Sequence, residues 1–160
     1  MSDPHSRQRH QPWWSAAAQL GQAAWFFGNL YEGLVGVPQL LAAARPERPA
    51  GLLAAGSPVR YYAPVAILTL APMGISLLEG WRSGADRRLI TATATCVGST
   101  LALSGYLIRT VNIPLLVGNE PLSEADRHKL IARWHRGNAV RLVALGGASA
   151  AFSRLPRSRP

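Results

Sequence analysis

The stretch RTVNIPLLVGNEPLSEADRHKLIARWHRGNAVR, residues 109–141, decides how the chain is read. It joins two apolar segments and crowds polar groups at the ends that adjoin. Asn112 follows Arg109 by three residues, which puts both on one helical face; His135, Asn138 and Arg141 repeat that spacing on the next segment. Trp134 stands four residues before Asn138. Polar groups gathered at two adjoining helix ends point to a polar pocket at one end of a helical bundle.

Outward from this connector the charges thin out. Runs without Asp, Glu, Lys or Arg extend over 11–31, 61–78 and 89–108. Each is about 20 residues, the length a helix needs to cross the hydrocarbon core. The fourth apolar segment is short, because Arg141 and Arg154 bracket it. Counted from Gly137 to Ser153 it reaches the lower limit for a span, so Arg141 has to enter the membrane or its interface and needs a partner there. The expected fold is all-α: four antiparallel transmembrane helices over 13–153, with an additional amphipathic helix between the third and fourth spans. That extra helix is SEADRHKLIARWHRGN, with Ser123 as N-cap and acids in its first turn. Residues 1–12 and 154–160 read as basic tails, the first of them disordered.

The 160 residues carry a net charge of +9, and all basic residues but Lys129 are Arg. They are scattered over every loop and both tails rather than gathered in one stripe. That pattern argues against nucleic acid as a partner and for flanks attracted to anionic head groups. Cys96 is the only cysteine, which excludes an intrachain disulfide or a multi-cysteine metal site. The start MSDPHSRQRHQP lacks the form of a cleavable signal, so the first span stays in the mature protein. The short, triply charged turn WRSGADRR places both termini on the cytoplasmic side of the cell membrane.

Taken in order, the first segment opens on Trp13 and Trp14, which mark an interface. Asn29 and Glu32 lie near its far end at i and i+3, among Gly28, Gly33 and Gly36, before Pro38 ends it. A loop follows over 45–58. The second segment starts with Arg60, Tyr61 and Tyr62, bends at Pro72 and ends at Glu79, solvated or paired with Arg82. The third, LITATATCVGSTLALSGYLI, is rich in Thr, Ser and Gly, suited to close packing and to hydroxyls bonded to their own helix. Four antiparallel spans bring Asn29, Glu32, Arg60, Tyr61, Arg109, Asn112, His135, Asn138 and Arg141 to one membrane face. Glu32 against Arg141 or Arg109 is the expected ion pair.

The TVNIPLL segment, the polar connector and ARWHRGNAVR opening the last helix resemble the small four-helix integral membrane proteins that include the anthrone oxygenases of aromatic polyketide pathways. The Gly-rich first helix leading to VGVPQL is similar too, so the likeness covers most of residues 20–150, best at Asn112, Pro114, Trp134, Asn138 and Arg141. The resemblance implies oxygenation of a small aromatic, phenolic substrate by molecular oxygen with no cofactor: no flavin, haem or metal. On that reading His135 or Glu32 is the base and Arg141 and Arg109 stabilise anions. Asn29, Asn112, Asn138 and Trp134 orient the substrate, and Tyr61 hydrogen-bonds its phenol. The competing reading is a non-catalytic membrane protein, an accessory subunit or carrier, in which Glu32, Arg109 and Arg141 form a structural ion-pair network.

Overall fold

The computed structural model describes residues 13–36, 58–116 and 122–155, and all regular structure among them is helical. The expected tail at 1–12, the break at Pro38 and the loop over 45–57 lie outside the described residues. Helix α1 covers Trp13–Tyr31 and continues as a π-helical stretch, Glu32–Gly36. Helix α2 covers Pro58–Arg82. Helix α3 covers Arg87–Leu107 and runs on through a second π-helical stretch, Ile108–Asn112, into a last turn, Ile113–Leu116. Helix α4 covers Glu124–Ser153.

The ends are set by local chemistry. α2 stops because Gly84 adopts a left-handed conformation (φ 76°). The Ala85 N–H then reaches back to the Gly80 carbonyl at 2.9 Å and the Gly84 N–H to that of Trp81, the paired bonds that close a glycine-terminated helix. Asp86 starts α3 by accepting the Arg88 N–H at 2.8 Å. Ser123 caps α4 as expected, accepting the Asp126 N–H while its hydroxyl donates to the Asp126 carboxylate. That bond and the neighbouring Lys129 hold the exposed Asp126 carboxyl below its ordinary pKa.

The amphipathic helix expected before the fourth span is not a separate element. It is the first half of α4, which runs unbroken for 30 residues. No proline interrupts it, and Gly137 does not break it because Leu107 packs there; a Cβ at Gly137 would meet Leu107 Cδ2 at 2.8 Å. A helix of that length is about 45 Å long, more than a membrane thickness, so its first turns project beyond the bundle.

The packing is antiparallel. α1 lies along α2, with Ser15 beside Ser76 (3.2 Å), Gln22 on the Met73 sulfur (3.6 Å) and Gly28 beside Tyr62. α3 lies along α4, where Leu107 meets Gly137 and Cys96 meets Gly147. α1 also contacts α4, whereas α2 and α3 touch little beyond their turn. The closest backbone approach is at Gly21, where a Cβ would sit 3.0 Å from Thr69 Cα and collide with its hydroxyl. Overpacking a backbone contact costs about 1–3 kcal/mol. Gly21→Ala is therefore expected to lower the unfolding free energy in detergent by that amount, whereas Gly98→Ala, with nothing within 4 Å, does not lower it and gains helix propensity.

The interior mixes apolar side chains such as Trp25, Leu107 and Leu145 with polar ones, and the exterior carries many large apolar side chains. Gln22, Asn29, Thr69, Thr93, Thr100, Asn138 and Arg141 are buried, while Leu20, Phe27, Leu34, Ile67, Leu68 and Val143 are each 64–76% exposed. The interior hydroxyls are satisfied within their own helices, as expected: Thr69 donates to the Val65 carbonyl, Thr93 to that of Leu89 and Thr100 to that of Cys96. By length and composition one helix among the described residues, Arg60–Arg82 with mean hydropathy 1.6, is fit to cross a membrane. The other three are diluted by Gln, Asn, Thr, Ser and Gly, several of them exposed, and α4 also by the charges of its first half.

Glu79 departs from expectation. Its carboxylate accepts a hydrogen bond from the Trp14 indole at 2.8 Å rather than pairing with Arg82, and so ties the start of α1 to the end of α2.

Candidate functional site

One end of the bundle holds a buried polar cluster built around α4. Trp134, Asn138, Arg141, Leu145, Ala148 and Phe152 form the buried seam of that helix, spaced alternately by three and four. Asn138 is the hub. Its amide Nδ2 donates to the Asn29 backbone carbonyl at 2.9 Å, and its Oδ1 accepts from Arg141 Nη2 at 2.8 Å. Arg141 Nη1 donates to Ser104 Oγ on α3 at 3.3 Å, and the guanidinium lies 6.0 Å from the Tyr62 ring centroid on α2. All four helices thus contribute.

The local sequence explains the approach. Gly33 leaves room for the Asn138 amide, which would lie 3.0 Å from a Cβ there. Gly28 does the same for Tyr62, whose hydroxyl would lie 3.0 Å from a Cβ. Both π-helical stretches, Glu32–Gly36 and Ile108–Asn112, occur at this end. Wider helical turns of this kind concentrate at functional sites, because they redirect side chains and carbonyls that an α-helix keeps in register.

Three buried atoms of the cluster have no hydrogen-bond partner: Arg141 Nε, Tyr62 Oη and Asn29 Oδ1. The partly buried Glu32 carboxylate stands close to all this. It feels the Arg141 charge and lies within reach of the Tyr62 hydroxyl. Arg141, Tyr62, Asn29 and Glu32 thus lie at one end of the bundle, and the first three each carry a buried atom without a partner. Unspent capacity in a buried site costs free energy that a ligand recovers on binding.

The expected residues divide cleanly. Asn29, Glu32, Asn138 and Arg141 come together. Trp134 is buried too, but it packs with Leu107 and Val111 as apolar floor. Asn112 is partly buried next to Val111. Tyr61 is half exposed, its ring edge-on to Tyr62 at 4.9 Å between centroids. Arg109 and His135 face outward, and the anticipated Glu32–Arg109 pair does not form. Tyr62 and Ser104 belong to the cluster without having been singled out. Their signal is spacing: Tyr62, Thr69 and Ser76 recur every seven residues, and Thr93, Thr100, Ser104 and Leu107 mark the matching seam of α3.

Among the described residues no group of three or more His, Cys, Asp or Glu converges as a metal site would. Compared with known proteins, the chain matches no family model, no curated protein and no solved structure.

Proposed function

We propose that this chain is an integral membrane protein of the anthrone oxygenase-like type, whose four helices all cross the bilayer and whose buried polar end binds a phenolic aromatic substrate for oxygenation without a cofactor. The membrane part is supported by the many exposed apolar side chains, by the polar groups buried among the helices and by the placement of exposed aromatics. Tyr61 and Trp81 are half exposed on α2 and about 30 Å apart along it, the thickness of a hydrocarbon core. Trp13 and Tyr31 bracket α1 at nearly the same span, in the positions where interfacial aromatics are found. The short turn carrying Arg82, Arg87 and Arg88 favours a cytoplasmic location for that end and for both termini.

The observation that carries the catalytic part is the set of unpartnered buried atoms around Glu32. A phenol entering from the end where Tyr61 and Glu32 are partly exposed meets Asn29 Oδ1 as acceptor and Arg141 Nε and Tyr62 Oη as donors. Glu32 takes the proton from the acidic carbon of the substrate. The Arg141 guanidinium stabilises the resulting enolate-like anion. That electron-rich anion reduces oxygen, the two combine at the carbon, and loss of water from the hydroperoxide leaves a quinone. One oxygen molecule thus yields one new carbonyl and one water. Glu32 replaces His135 as the base, because the imidazole lies on the outer face.

A second reading rests on Asn138, which hydrogen-bonds α4 to α1 and holds Arg141 in place. On that reading the network is structural, and the chain is an accessory subunit or carrier. Oxygen uptake separates the two. Membranes containing the chain and a hydroxylated anthrone are expected to consume one oxygen per quinone formed, with Arg141→Met membranes at background. Uptake no faster than in membranes lacking the chain rejects the oxygenase and leaves the structural reading.

A further inference from the structure

At the end opposite the polar cluster, a shallow, open depression of about 520 Å³ lies on the outer face of α3, lined by Arg87, Arg88, Thr91, Ala92, Thr95 and Cys96. We propose that it seats an anionic phospholipid, with the phosphate between the arginines and the start of an acyl chain along Ala92 and Cys96. The proposal rests on the membrane reading above and is independent of the oxygenase reading.

Charge and depth support this occupant. The Arg87 guanidinium lies over the Trp81 ring, 4.7 Å from its centroid, and exposed tryptophans sit at head-group level. From Arg87 the depression descends nine residues of helix, about 13 Å, into the zone of the acyl chains. Its lower wall is small because Cys96 packs toward Gly147, where a Cβ would lie 3.3 Å from the sulfur. Antiparallel packing then fixes a further charge: Arg154, seven residues past Gly147, is level with Leu89, seven residues before Cys96. Arg87 and Arg88 line the mouth, and Arg82 and Arg154 add positive charge at the same end of the bundle. The acids at this end among the described residues are Asp86, engaged with the Arg88 N–H, and Glu79, engaged with the Trp14 indole.

A second copy of the chain is the other occupant to weigh, since the walls are small enough for helix packing. Two copies in one membrane run parallel or related by a two-fold axis along the normal. Either way their Arg87 and Arg88 side chains meet like charge to like, which disfavours that contact. An anionic lipid fills the same walls and neutralises the same charges.

The test uses the full chain purified in mild detergent and offered phosphatidylglycerol and phosphatidylcholine in equal amounts, with retained lipid counted by native mass spectrometry. Each arginine near an anionic head group contributes about a factor of five in affinity, so the wild type should prefer phosphatidylglycerol roughly twentyfold. Arg87→Gln/Arg88→Gln should bring the preference close to parity. Ala92→Phe, which fills the depression and keeps the charges, should lower retention of both lipids. Arg133→Gln/Arg136→Gln, at the other end of the bundle, should change nothing. Equal retention of both lipids by the wild type overturns the proposal, as does an undiminished preference in the double Arg87/Arg88 variant or a lipid-free dimer. Alkaline carbonate extraction of the expressing membranes is run alongside. Release of the chain sinks the membrane reading and the lipid site together, whereas retention with no lipid preference sinks the lipid site alone.

Discussion

Asn138→Ala is expected to lower the unfolding free energy of the bundle by about 3 kcal/mol. The side chain makes two buried bonds, one to the Asn29 carbonyl and one from Arg141 Nη2, and alanine removes both. Interhelical hydrogen bonds between neutral groups in membranes average only about 0.6 kcal/mol, because the separated helices find other partners. A guanidinium is different. With the Asn138 carbonyl oxygen gone, Arg141 keeps the 3.3 Å contact to Ser104, and its Nε is already unpartnered. Hydrogen bonds to a charged group are worth about 1.5–3 kcal/mol, and leaving the charge buried without them costs more than the bond itself. The charge is thus the dominant part of the loss. It follows that Arg141→Met added to Asn138→Ala should recover at least about 1 kcal/mol, since removing both partners deletes the orphaned cation. Unfolding in a graded detergent mixture measures all three variants. Strict additivity of the two substitutions would mean that the 2.8 Å contact carries no coupling.

A large kinetic effect also falls on Glu32. A positioned general base contributes about 10²–10⁴ in rate, and glutamine keeps the size of the side chain while removing its basicity. Glu32→Gln should therefore reduce the initial rate of anthrone-dependent oxygen uptake by at least about a hundredfold with little change in stability. His135→Ala should stay within about threefold of wild type, because the imidazole points away from the cluster and its neighbour Trp134 is the buried residue of that pair. Reversal of the two results, with His135→Ala inactive and Glu32→Gln active, would relocate the chemistry to the outer face of α4.

Which end of the bundle carries the polar residues was legible in the sequence; which face of each helix they occupy was not. Ends are written in order along the chain: alternating direction alone places Asn29, Tyr61, Arg109 and Asn138 at one level. Faces are read in soluble helices from the contrast between apolar and polar sides. Here that contrast fails, because the outer face is apolar as well: Leu68 and Ile75 on α2 are exposed and fall in phase with Tyr61. The inward phase is marked by small polar residues instead, and Tyr62, in phase with Thr69 and Ser76, is the tyrosine that turns in. His135 and Arg109 failed on the same count, being one helical step off the seams carried by Trp134 and Asn138 on α4 and by Leu107 and Val111 on α3. Spacing of three residues established that Arg109 and Asn112 share a side. It did not say which side.

The continuity of α4 has a related cause. The polar first half looked like a helix lying on the membrane because its charges, Arg127, Lys129, Arg133 and Arg136, contrast with the apolar second half. Backbone geometry is indifferent to that change in composition. Without a proline, and with Gly137 filled by Leu107, nothing bends the chain.

The central claim, that the apolar exterior faces lipid, is tested most directly by spin labels placed one at a time at Leu20, Ile67 and Val143 in a Cys96→Ser background, with the protein in lipid vesicles. These positions are 69–76% exposed. Relaxation of each label by oxygen, which concentrates in the acyl region, with almost none by a water-soluble nickel chelate, is the predicted result. Strong relaxation by the nickel chelate at all three positions would show the helices in water and contradict the account.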